Sequence, residues 1–94
     1  MKRQMKETVK NLLEEFSAKG MSLIVNVFSS LANFSCNGDI ELVQDSEDML
    51  MINTAESSMS INFTDNMTIE EYDTEYSKAI LLKDTYSSIE ISGV

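Results

Sequence analysis

The clearest pattern in the chain runs from Asp39 to Phe63, DIELVQDSEDMLMINTAESSMSINF, where apolar and polar residues alternate in three short blocks. In the last block Met59, Ile61 and Phe63 alternate with Ser58, Ser60 and Asn62. A period of two puts the large apolar groups on one face and small polar groups on the other, which predicts an antiparallel strand with one face in water. Ile40 and Leu42 repeat at the same spacing in the first block. Between them MLMIN is apolar at both parities, with Met49 and Met51 on one side and Leu50 and Ile52 on the other. That predicts a central strand, or one whose outer face meets something else. The runs DSED and TAES have the length and polarity of turns.

Near the start the period changes. Met5, Val9, Leu12, Leu13 and Phe16 are spaced by 4, 3, 1 and 3, a single stripe on an α-helix. Lys19 in its last turn and Gly20 beyond it form a C-terminal stop signal. Arg3 with Glu7 and Glu15 with Lys19 are favourable pairs four residues apart. The first turn, however, carries Lys2, Arg3 and Lys6 where the helix dipole favours acids. This basic cluster faces the acidic sheet of its own chain, a neighbour, or solvent, a solvated end being the simplest expectation.

Two segments admit either period. In residues 21–36, Leu23, Ile24, Val27, Phe28, Leu31 and Phe34 share one helical face behind Ser22 as N-cap. The β-branched run LIVNVF favours a strand instead, with Leu31 to Cys36 entering a hairpin at Asn37-Gly38, the strongest short turn signal present. A two-residue loop there mismatches the apolar faces, so it requires a bulge or an odd-length loop. In residues 67–76, Thr68 and Glu71 could form a capping box beneath Met67 and Tyr72. The alternation of Tyr72, Thr74 and Tyr76 with Glu71, Asp73 and Glu75 again favours a strand. AILLK, the turn DTYS and SIEIS read as a terminal hairpin. The expected fold is therefore α+β: an N-terminal amphipathic helix on an antiparallel meander of five to six strands, or a small barrel.

At 94 residues the chain is expected to form one domain, residues 1–94, with a core that needs neither disulfide nor metal. A single cysteine, Cys36, and no apolar run long enough for a membrane span fit a cytoplasmic location. Charge changes the picture further. Residues 1–19 carry +2, whereas residues 20–94 carry −11, giving a net charge of −9. Such a field repels nucleic acid and anionic membranes and attracts basic partners.

Candidate chemistry is sparse. There is no histidine, the commonest general base and metal ligand. Cys36 has no basic neighbour in sequence to activate its thiol, and the three glycines form no phosphate-binding loop. A calcium loop starting at Asp73 fails because Lys78 stands where glycine is required. No enzyme activity, catalytic residue, cofactor or metal is expected.

The remaining signal is acidic surface. Asp65, Glu70, Glu71, Asp73 and Glu75 place five acids in eleven residues, and Asp45, Glu47 and Asp48 place three more at a turn. On a strand, residues two apart are separated by about 6.8 Å, roughly two phosphate steps along one DNA strand. These eight residues are the expected partner-binding surface, aimed at a basic region of another protein such as a nucleic-acid-processing enzyme. Small phage-borne inhibitors, anti-CRISPR proteins among them, act in this manner as DNA mimics. The parallel is one of mode of action and involves no shared motif. The alternative is a self-associating scaffold, a homo-oligomer built on strand edges and the methionines Met49, Met51, Met59 and Met67.

Overall fold

The computed structural model describes all 94 residues, as one helix followed by seven strands. These are α1 (Lys2–Ala18), β1 (Ser22–Ser29), β2 (Asn33–Ser46), β3 (Met49–Thr54), β4 (Ser58–Asn62), β5 (Thr68–Asp73), β6 (Lys78–Lys83) and β7 (Ser87–Gly93). The α+β class and antiparallel sheet agree with the hydrophobic pattern, and both ambiguous segments form strands, the first as β1 and the start of β2 and the second only as far as Asp73, with residues 74–76 in a loop. The number of strands is seven rather than five to six. The order is β4-β3-β2-β1-β7-β6-β5, so the chain is not one continuous meander. Two meanders, β1 to β4 and β5 to β7, are joined by pairing of β1 with β7.

That order dictates curvature. Laid flat, the six spacings from β4 to β5 would span about 29 Å. The link from Asn62 to Thr68 crosses six Cα steps, at most about 22 Å even fully extended. The sheet must therefore curl until its two edges approach, and the concave face so formed receives α1. Val9, Leu13 and Phe16 on the helix are fully buried, as are Leu23, Val25, Leu50, Ile52 and Ile91 on the strands. No helix is long and apolar enough to cross a membrane.

Strand β2 makes the corner. Residues 33–39 pair with β1, whereas Ile40 onwards pairs with β3, with a register shift between Ile40 and Leu42. A bulge of this kind bends a strand so that it can serve two differently oriented sheets. Asn37-Gly38 is accordingly not a hairpin turn; it lies within β2. Gly38 adopts φ 124°, and a Cβ there would come within 3.3 Å of the Thr54 hydroxyl. The glycine serves the corner, not a reversal.

Four of the five hairpin reversals share one design, the β2–β3 turn being the exception. The loops 29–32, 54–57, 74–77 and 84–87 begin with Ser29, Thr54, Thr74 and Asp84. In each, the first residue's N–H donates to the fourth residue's carbonyl at 2.8–3.0 Å. Its side-chain oxygen accepts the N–H groups of the third and fourth residues. Local side-chain acceptors of this kind stand in for the glycines and prolines that these four loops lack. Helix α1 ends in a Schellman motif: the Met21 N–H reaches the Phe16 carbonyl, the Gly20 N–H reaches that of Ser17, and Gly20 takes φ 68°.

Candidate functional site

The eight acids marked by the sequence fall into two groups in different chemical situations. The first is at the β2–β3 turn. Lys2, Lys6 and Lys10 recur every fourth residue and so form a stripe along α1 beside its apolar face. Seating that face in the concave sheet brings the stripe against Asp45, Glu47 and Asp48. Lys10 Nζ lies 3.1 Å from Asp45 Oδ2, and Lys2 Nζ lies 3.1 Å from Asp48 Oδ2. Lys6, only 7 % exposed, bonds the other oxygen of Asp45 and donates to the Glu47 carbonyl. Glu47 itself takes φ 47°, a conformation costly for a residue with a side chain. The bond from Lys6 accompanies it.

The ionisation of these groups reflects the contact. Hydrogen bonds from Lys6 and then Lys10 hold the Asp45 carboxyl below its ordinary range. The bond to Asp45 raises Lys10, and the bond to Asp48 raises Lys2. Asp65, from the link between the sheet edges, accepts the Lys2 backbone N–H at 3.3 Å. It stands at a helix start where Met1 makes no side-chain cap. The basic first turn is thus explained: the acids the dipole favours come from the sheet and the link. The solvated end expected for Lys2 and Lys6 is corrected; both are bound within the chain.

The second group is Glu70, Glu71, Asp73 and Glu75. The first three lie on β5, one of the two edge strands, and Glu75 lies in the following loop. All four are exposed, and none takes part in an ion pair. Alternation sends Ile69, Glu71 and Asp73 toward the helix side and Glu70 and Tyr72 outward. Glu71 lines a shallow cleft of about 330 Å³ with Thr8, Asn11, Glu15 and Lys78. Lys78 is the register partner of Asp73 without reaching its carboxylate.

On the outer face the register places Glu70, Leu81 and Glu90 in one row across β5, β6 and β7. Tyr72 leans over this row, its hydroxyl donating to Glu90 Oε2 at 3.0 Å. Burial first, and the neighbouring carboxylate second, push the Tyr72 phenol above its ordinary range. Glu90, on β7, therefore carries the acidic surface inward from the β5 edge, and it is not among the eight acids marked by the sequence. Its only sequence signal is that it shares outward parity with Ser88 and Ser92.

The edge combines unpaired strand backbone with at least four carboxylates lacking cations, an arrangement suited to receiving arginine and lysine side chains. Cys36 is buried, its sulfur accepting the Ser57 hydroxyl at 3.2 Å. No three His, Cys, Asp or Glu side chains converge as a metal site. No protein-family model, no curated protein and no solved structure matches this chain.

Proposed function

We propose that the protein is a non-enzymatic interaction module whose β5 edge binds a basic, nucleic-acid-binding surface of another protein and inhibits it by occupying that surface. The observation that carries this reading is the contrast in charge pairing. At the β2–β3 turn helix lysines meet Asp45 and Asp48; along β5, Glu70, Glu71, Asp73 and Glu75 stand without a paired cation in a chain of net charge −9. Glu71 and Asp73, two residues apart on a strand, project from backbone positions about 6.8 Å apart. Flexible acidic tails lack such fixed spacing. The working set is narrower than the eight acids of the sequence: Asp45, Asp48 and Asp65 engage α1, and Glu47 contributes its carbonyl to Lys6.

The test is affinity capture from nuclease-treated cell lysate at low and high salt, with the wild-type chain and a variant carrying lysine at positions 70, 71, 73 and 75 as baits. The reading expects a nucleic-acid-processing protein to bind the wild type at low salt, to be released at high salt, and to ignore the variant. Capture that survives both salt and charge reversal would refute it.

A further inference from the structure

A third edge exists besides β4 and β5. Because β3 pairs with β2 only from Ile40 onwards, the first part of β2 has β1 on one side and nothing on the other. The direction of its backbone groups follows from the loop. Ser29 and Ala32 form a hydrogen-bonded closing pair, and such pairs alternate along an antiparallel ladder. Val27–Phe34 and Val25–Cys36 are then hydrogen-bonded, while Asn33, Ser35, Asn37 and Asp39 point their N–H and C=O groups away from β1. Two of these confirm the phase: the Asn37 carbonyl accepts the Thr54 hydroxyl at 2.9 Å, and that of Asp39 accepts the Ala55 N–H at 3.2 Å. The outward groups of Asn33 and Ser35 have no partner. Between them stands Phe34, 57 % exposed.

We infer that this edge pairs with the same edge of a second copy, forming a two-fold symmetric dimer centred on Phe34. Self-complementarity supports a second copy as the occupant. With Asn33 opposite Ser35 of the second copy, and Ser35 opposite its Asn33, all eight outward groups are satisfied in four hydrogen bonds. The two Phe34 side chains then form the close, non-hydrogen-bonded pair between them, where aromatic pairs pack well. Charge selects the same place. Residues 20–38 contain no charged side chain, whereas residues 39–94 together carry −11, so two copies approach here with little repulsion. The β5 edge is guarded by its acids. The β4 edge offers only Ser58, Ser60 and Asn62 beside its free backbone and would bury no large apolar group.

Sedimentation equilibrium of the full chain up to about 1 mM, at moderate and high salt, tests this. The expected result is a reversible species of twice the 10.6 kDa chain mass, favoured by salt as repulsion is screened. Phe34→Lys and Ser35→Pro should be monomeric, and Ser60→Pro on β4 should still dimerise. Amide exchange on the wild type needs no variant: the Asn33 and Ser35 amides should slow by about tenfold between dilute and concentrated samples. A monomer at every concentration, exchange at Asn33 and Ser35 indifferent to concentration, or a dimer abolished by Ser60→Pro but kept by Ser35→Pro, would overturn the inference.

Discussion

The β2–β3 turn and the β5 edge are both rich in carboxylates, yet they play different parts. At the turn, Asp45 and Asp48 are answered by three lysines from a helix distant in sequence, and one of those lysines is nearly buried. Along β5, Glu70, Glu71, Asp73 and Glu75 meet no paired cation, although Lys78 is next door in register. The difference teaches that the number of acids in a segment says little about their use; the element packed across from them decides. At the turn the carboxylates tie a helix to a sheet. On β5 they meet no cation of the chain and stay in solvent, which is what the proposed partner-binding role requires.

Breaking the turn should have the largest effect. Lys6→Glu would replace a nearly buried ammonium by a carboxylate, which sets two like charges side by side at Asp45 and leaves the Glu47 carbonyl without its donor. In a domain of this size each kcal/mol lowers Tm by roughly 4–8 °C, so thermal unfolding followed by circular dichroism should show a deeply destabilised or unfolded variant. An unchanged Tm would mean that the lysine stripe is incidental to the fold.

Acid should break the same contact more gently. The Asp45 carboxyl is depressed in the folded chain, first by Lys6 and then by Lys10, so its stabilising contribution is complete above its unfolded pKa of about 3.9. That contribution fades as pH falls through the lower folded value. Asp84 behaves alike, held down by the Tyr86 and Ser87 N–H groups and the Ser87 hydroxyl at the β6–β7 turn. Lys2 and Lys10 have the opposite sign. Their raised values give a contribution complete below about pH 10.4 and lost as pH rises through the folded values. Tm should therefore fall below about pH 4, and Asp45→Asn should flatten that acid limb. An acid limb unaltered by Asp45→Asn would place the titrating group elsewhere.

The β5 acids should respond in the reverse manner. Lysine at positions 70, 71, 73 and 75 should shift stability by no more than about 0.5 kcal/mol per site, because exposed charges away from specific partners contribute little. The sign should lean toward stabilisation, since net repulsion in the −9 chain is relieved. Urea unfolding of this variant beside Lys6→Glu would sharpen the contrast: partner binding lost with the fold intact in one, the fold itself lost in the other. Serious destabilisation by the β5 reversals would show that these acids have structural partners after all.

How much of this could be read from residues alone depends on the range of the interaction. Strands with one wet face, such as Ser58–Asn62, announce themselves through local parity, and Gly20 marks the helix end just as locally. Asn37-Gly38 misled because a glycine needed for a strand corner carries the same local signature as one needed for a turn. The real loops were legible in another code. SSLA, TAES, TEYS and DTYS each start with a side-chain acceptor that closes the loop, and two of them pass for strand or helix when glycine is the marker sought. The pairing of β1 with β7 and the meeting of Lys6 with Asp45 join residues far apart in sequence, and no local pattern encodes them. The same holds for the acids: the segments rich in charge were visible, but their division into paired and unpaired sets followed only from where α1 lies.

The gentlest probe of the acidic edge is Tyr72→Phe. It deletes the hydroxyl that donates to Glu90 and keeps the aromatic ring on the outer face, at the position that pairs in register with Ala79. Tyr72 is 41 % exposed and water can replace the lost bond, so the stability cost should be about 0.5 kcal/mol or less. The informative effect is on alkaline unfolding. The Tyr72 phenol is raised in the folded state by burial and by Glu90, so its contribution is present below about pH 10 and lost as pH rises through the folded value. The phenylalanine variant should lose that one component of the alkaline limb while keeping the lysine component from Lys2 and Lys10. Ultraviolet titration of the wild type should correspondingly show a late-ionising phenol that Tyr72→Phe removes. If the substitution removes no late-ionising component, Glu90 is free of Tyr72 in solution and counts as one more unpaired acid beside β5.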